Sequence, residues 1–135
     1  MEELSLSEDE WKKRLPKDRF EVLRKGGTEM PFTGKLLHNK EAGIFVCGGC
    51  RLELFSSEAK FDSGSGWPSF LDVIRSENID TKEDRGDGMI RTEILCARCG
   101  GHLGHLFNDG PKPKGLRYCV NSSSLDLVQN LPIVK

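Results

Sequence analysis

Hydrophobic positions in this chain fall into short groups separated by polar turns, with no long periodic face. Ahead of residue 28 the spacing is helical. Ser7 is placed to cap a short helix whose N3 residue is Glu10, so that two terminal N–H groups are satisfied reciprocally. That helix would run through Trp11 and Leu15 until Pro16 stops it. A second helix is expected over residues 16–25, with Phe20 and Leu23 on one face and Gly26-Gly27 past its end. Residues 28–43 then read as an extended loop broken by Pro31, Gly34 and Gly43. Short β signals follow at residues 44–46, 52–55, 89–95, 103–107, 116–120 and 125–134. Residues 61–70 carry aromatics but are punctuated by glycine and proline, so a loop is expected there. Residues 76–88 are read as a polar connection with at most a partly ordered turn.

Strands of this length, with helices confined to the front, predict a mainly β protein of small antiparallel sheets under an N-terminal helical cover. The 135 residues make one domain, 1–135, with residues 1–27 as a helical arm. Only 36% of residues are hydrophobic, so a metal clip would add folding free energy to a lean core. The net charge of −1 and the short basic stretch 112–117 lack the concentrated positive footprint of a nucleic-acid binder. No apolar run reaches bilayer length, and the N-terminus has neither the basic start nor the apolar core of a signal peptide. The expectation is a cytoplasmic monomer without nucleic-acid or membrane partners.

Five cysteines change the picture. Four form two Cys-x-x-Cys pairs, Cys47/Cys50 and Cys96/Cys99, each following a predicted strand. Brought together they offer the tetrahedral thiolate set that a closed structural Zn2+ site requires, with no open position for water or substrate. Gly48, Gly49, Gly100 and Gly101 beside them permit tight turns. Iron would fit the same sulfurs, and a lone pair could be a redox dithiol, but two pairs in a reducing compartment favour zinc.

The fifth cysteine, Cys119, lies in an alternating segment that puts Arg117, Cys119 and Asn121 on one side and Tyr118 and Val120 on the other. A guanidinium and an amide are poor company for an inert core sulfur, and Arg117 would favour the nucleophilic thiolate. His102 and His105 follow directly after the second cysteine pair. Their spacing allows a second metal, yet with four thiolates already in hand, general acid chemistry ranks higher; two plain hydrogen-bonded histidines are the bland alternative. His38 is expected at the surface. Trp67, set between Gly66 and Pro68, is either a covering residue at the sheet end or a rigid apolar wall for a small group such as a sulfur-bound methyl.

Taken together, these residues resemble the B-type methionine-R-sulfoxide reductases. The resemblance covers nearly the whole chain: residues 20–24 and 27–34, both cysteine pairs, residues 61–70, residues 101–111 and residues 117–122. It implies two small antiparallel sheets packed together, of the β-tent or Mss4-like kind, with zinc distal to the active site. It implies Cys119 as nucleophile, His102 and His105 as the pair that binds and protonates the sulfoxide oxygen, and Trp67 as the indole facing the methyl. Arg117 and Asn121 match the polar residues around the reactive sulfur, and Phe107 a further wall. The implied reaction is reduction of the R epimer of peptide-bound methionine sulfoxide through a sulfenic acid, on oxidised proteins or peptides, with thioredoxin or a small thiol as reductant. One departure stands out. Many members carry a second cysteine in the loop before the tryptophan, where this chain has Ser65. The rival reading is a zinc-ribbon-like binding module without catalysis.

Overall fold

The structure is a computed structural model that describes residues 1–129. Two helices, α1 (Glu8–Arg14) and α2 (Lys17–Lys25), precede nine short strands. Ser7 caps α1 through the expected box: Glu10 N–H donates to Ser7 Oγ, and Ser7 N–H donates to Glu10 Oε1 at 3.1 Å. The acidic first turn of α1 and its basic last turn both complement the helix dipole. Helix α2 ends at Gly26, whose φ of +73° is the left-handed conformation that glycine reaches at least cost.

The strands are β1 (Ile44–Cys47), β2 (Glu53–Ser56), β3 (Lys60–Phe61), β4 (Ser69–Phe70), β5 (Ile79–Asp84), β6 (Arg91–Cys96), β7 (His102–Phe107), β8 (Arg117–Val120) and β9 (Leu125–Val128). They form two antiparallel sheets, a three-stranded one ordered β2-β1-β9 and a six-stranded one ordered β3-β4-β8-β7-β6-β5. The core lies between them. Phe45 and Phe55 of the small sheet meet Phe70 of the large one at ring distances of 5.1 and 4.3 Å, and Phe55 also meets Tyr118. Such pairs add modestly to the free energy of burial, which dominates.

Three expectations are corrected. Residues 76–88 are not a bare connection: β5 pairs with β6 along its length, between single turns of 3-10 helix at Ser76–Asn78 and Gly86–Gly88. As an edge strand with mostly exposed residues, it needs no apolar alternation. Residues 61–70 are a loop only between their ends, because β3 and β4 pair across it and β4 continues onto β8. The strand expected over 125–134 ends at Val128, and residues 130–134 lie outside the described residues.

The helical arm sits over the cysteine turns. Trp11, buried, packs against Gly49, and Leu23 packs against Gly49 and Gly101. Arg19 donates to the Gly48 carbonyl and grips Asp126 with both Nη atoms at 2.8 and 3.0 Å, and Arg24 donates to the Cys99 carbonyl. Among the described residues, no helix is long and apolar enough to cross a membrane.

Candidate active site and metal centre

Cys47 ends β1 and Cys96 ends β6, so the two cysteine turns belong to different sheets. Folding brings all four Sγ atoms within 4.8 Å of one another. Cys47 and Cys99 are 3.7 Å apart, Cys50 and Cys96 3.4 Å. A tetrahedron of thiolates with Zn–S bonds of about 2.3 Å would have edges of about 3.8 Å, so the cage has the right size. Its all-sulfur composition, burial and full complement of four protein ligands fit one structural Zn2+. The ion would lock the small sheet to the large one and take no part in chemistry.

Cys119 stands apart from this cluster. Its thiol is buried on β8, opposite Ser69 of β4 on one side and His105 of β7 on the other. The alternation expected from sequence holds: Tyr118 and Val120 enter the core, while Cys119, Arg117 and Asn121 line a pocket of about 240 Å3. Thr28, Ser65, Trp67, Arg91, His105 and Phe107 complete most of its wall. Arg117 Nη1 donates to Cys119 Sγ at 2.8 Å. The same guanidinium stacks on Phe107 at 4.3 Å and is forked by Asp109 at 2.8 and 3.1 Å. The hydrogen bonds that Arg117 donates to Asp109, and to a lesser degree the sulfur of Cys119, raise Arg117 above its ordinary value.

Residues three apart on a regular strand face opposite ways, yet both histidines lie on one side of β7, with ring centroids 5.5 Å apart. A β-bulge is the cause. Ile94 pairs with Gly104 and Leu95 with His102, which leaves Leu103 as the extra residue. Asn121 fixes the bulge by donating to the Leu103 carbonyl from both its backbone N–H and Nδ2, and Ser124 Oγ donates to the His102 carbonyl. Gly104 completes the fit, because a Cβ there would lie 1.9 Å from the Cys119 carbonyl oxygen.

Each histidine has a carboxylate partner that sequence reasoning missed. His105 Nε2 lies 2.8 Å from Asp84, and His102 Nδ1 lies 2.6 Å from Glu93. Asp84 is held down at about 2, first by the Gly86 N–H and then by His105. Burial pushes His102 below its ordinary value, against the pull of Glu93, and its Nε2 is buried without a partner. Glu93 faces His105 directly across β6 and β7, a cross-strand signal available only once the register is known. His102 itself does not line the pocket, and His38 is exposed.

Trp67 is half-buried, and its Nε1 donates to the Glu29 carbonyl at 3.0 Å, while the Glu29 N–H donates to Asn121 Oδ1 at 3.0 Å. Ser65 and Ser69 each bring a hydroxyl to 3.6 Å from Cys119 Sγ, and Ser63 links the two. Among the described residues, no second thiol lines this pocket.

Comparison with known proteins agrees with this geometry. The family model described as the SelR domain matches residues 15–129. A peptide methionine sulfoxide reductase MsrB of Leptospira interrogans is 54% identical over 123 residues, covering 91% of this chain and 94% of that protein. The MsrB of Methanosarcina barkeri is 57% identical over 120 residues, covering 89% and 84%, and that of Saccharophagus degradans 48% over 128 residues, covering 94% and 96%. Among solved structures, the crystal structure of the Mis18 'Yippee-like' domain matches with a TM-score of 0.54 at 18% identity, over 68% of this chain and 100% of that one, a likeness of fold alone. With the family model and the relatives running along nearly the whole chain, the conclusion is that this protein belongs to the SelR family, the B-type reductases its motifs resemble.

Proposed function

We propose that the protein reduces the R epimer of peptide-bound methionine sulfoxide to methionine, with Cys119 as nucleophile. The observation that carries the reading is a single cysteine sulfur outside the metal cage, hydrogen-bonded by Arg117 at 2.8 Å, in a pocket it shares with an indole and an imidazole.

The sulfoxide sulfur is electrophilic, but its oxygen leaves only when protonated. Cys119 thiolate attacks sulfur while a proton passes from the histidine pair to the oxygen. The attack forms an S–S bond, and the S–O bond breaks as the oxygen, with a second proton from solvent, leaves as water. That water attacks Cys119 Sγ, and the S–S electron pair goes to the departing methionine. A proton returns to the histidine, and Cys119 is left as a sulfenic acid. His105, which borders the pocket with Asp84 behind it, is the proposed proton carrier. His102, which does not line the pocket, is proposed to act through His105, whose ring centroid lies 5.5 Å from its own. Arg117 stabilises the negative charge of the attacking sulfur, and Asn121 keeps the bulge and the Glu29 segment in register. Trp67 and Phe107 offer apolar walls to the methyl. In the S epimer methyl and oxygen exchange, so that an oxygen would meet the indole and polar groups would go unpaired.

Because Ser65 replaces the second cysteine of many relatives, the sulfenic acid is reduced by an external thiol, thioredoxin or a small dithiol, through a mixed disulfide that a second thiol resolves. The proposal includes a cytoplasmic monomer that works as one domain, 1–135, with residues 1–27 as an arm over the zinc turns. Mass spectrometry after one equivalent of R-sulfoxide peptide, without reductant, tests the route. One oxygen on Cys119, trapped by dimedone with zinc retained, is expected; an intramolecular Cys119 disulfide with zinc released would refute it.

A further inference from the structure

Among the described residues, six large hydrophobic side chains are exposed, and four of them fall in two pairs: Met30 with Phe32, and Met89 with Ile90. Both pairs stand within four residues in sequence of ones that line the Cys119 pocket, Thr28 on one flank and Arg91 on the other. Thr28 lines that pocket, Glu29 holds Trp67, and the next residues carry Met30 and Phe32, 72% and 66% exposed. On the other flank, Ile90 shares a shallow depression with Arg91 and Phe107, which also line the pocket.

The Met30–Phe32 turn is held firmly. Phe32 adopts a φ of +67°, a left-handed conformation that strains a bulky residue. The surroundings impose it. Phe32 N–H donates to the Gly66 carbonyl at 2.7 Å, Thr33 Oγ1 donates to the Met30 carbonyl at 2.6 Å, and the ring lies so close to Gly66 that a Cβ there would meet it at 3.0 Å. The turn thus spends strain to present an aromatic ring to water. The core gains little from it.

We infer that Met30 and Phe32, continued by Met89 and Ile90 on the far side, form an apolar rim that binds the residues flanking methionine sulfoxide in an extended substrate chain, and so select sulfoxides in apolar sequence contexts. The inference rests on the reductase reading above. A cavity of about 240 Å3 has room for one side chain, not for a peptide. The neighbouring residues of a peptide substrate must therefore cross its mouth, where Met30, Phe32 and Ile90 offer exposed apolar surface beside polar groups such as Arg91. Half-burying one large side chain on such a rim corresponds to roughly a three- to tenfold gain in affinity.

Phe32→Asn is the diagnostic substitution, since asparagine tolerates the left-handed conformation and removes only the ring. kcat and KM are measured for wild type and variant on N-acetylmethionine R-sulfoxide, on a peptide with leucines flanking the R-sulfoxide, and on its serine-flanked counterpart. Wild type should favour the leucine peptide over the serine peptide several-fold through KM, and F32N should bring that ratio close to one. An equal loss on all three substrates, or a wild type indifferent to the flanking residues, overturns the rim. A wild type that turns over none of the three overturns the reductase reading instead, and the rim with it.

Discussion

Arg117 donates from Nη1 to the sulfur of Cys119 at 2.8 Å while Asp109 grips the opposite edge of the same guanidinium at 2.8 and 3.1 Å. The arrangement is a chain of charge. An exposed carboxylate aims a partly buried cation, and the cation faces the one cysteine sulfur outside the four-cysteine cage. Phe107, stacked on the guanidinium plane, closes off other orientations.

Removing that cation should slow Cys119 more than it harms the fold. A charged hydrogen bond of this kind contributes about 1.5–3 kcal/mol, so Arg117→Met should lower the rate of Cys119 alkylation by iodoacetamide roughly ten- to hundredfold. Asp109→Ala should have a smaller effect in the same direction, because its carboxylate is solvent-exposed and acts only by aiming. Unchanged alkylation rates in R117M would contradict the role given to Arg117.

Gly104 should not tolerate even a methyl group. A Cβ there would sit 1.9 Å from the Cys119 carbonyl and 3.0 Å from Val120 Cα, both backbone atoms that cannot swing aside. Gly104→Ala should push β7 from β8, separate His105 from Cys119 and cost about 2 kcal/mol or more in urea unfolding. A normal urea midpoint and normal turnover would show that the close approach is not needed.

Zinc should be indispensable to folding and absent from chemistry. Elemental analysis should find one Zn2+ per chain, and Cys96→Ser should lose the ion together with stability on the order of 5 kcal/mol or more. Cys119→Ser should keep the ion. A C96S protein that melts like wild type would remove the argument that the ion clamps the two sheets.

The motifs that carry chemistry were legible in the sequence, and so was much of the secondary structure. Ser7 with Glu10, Pro16 and Gly26 announce two helices by local rules alone, and both cysteine pairs announce their metal by spacing. What stayed hidden depends on strand register. The bulge at Leu103 is invisible in a string where His102 and His105 are simply three apart, and without it the pair would face opposite ways. Glu93 and Asp84 were hidden for the same reason: they become histidine partners only when β5, β6 and β7 lie side by side, and β5, an exposed edge strand, has no apolar alternation to reveal it.

Acid should weaken the fold through His102. Burial lowers its proton affinity in the folded state below the ordinary value of 6.5, so the unfolded chain binds the extra proton in the window beneath 6.5. The stability is fully present above that window and is lost as pH falls through it. Urea midpoints followed from about pH 8 to about pH 5 should therefore fall, and fall less steeply in His102→Gln. Parallel slopes in the two proteins would mean that His102 is not the group responsible.

The most direct test is turnover of one synthetic peptide carrying either the R or the S sulfoxide, with dithiothreitol as reductant, by wild type and Cys119→Ser. Wild type should convert the R peptide and leave the S peptide untouched, and C119S, folded and zinc-loaded, should convert neither. Reduction of both epimers alike, or undiminished turnover in C119S, would contradict the account.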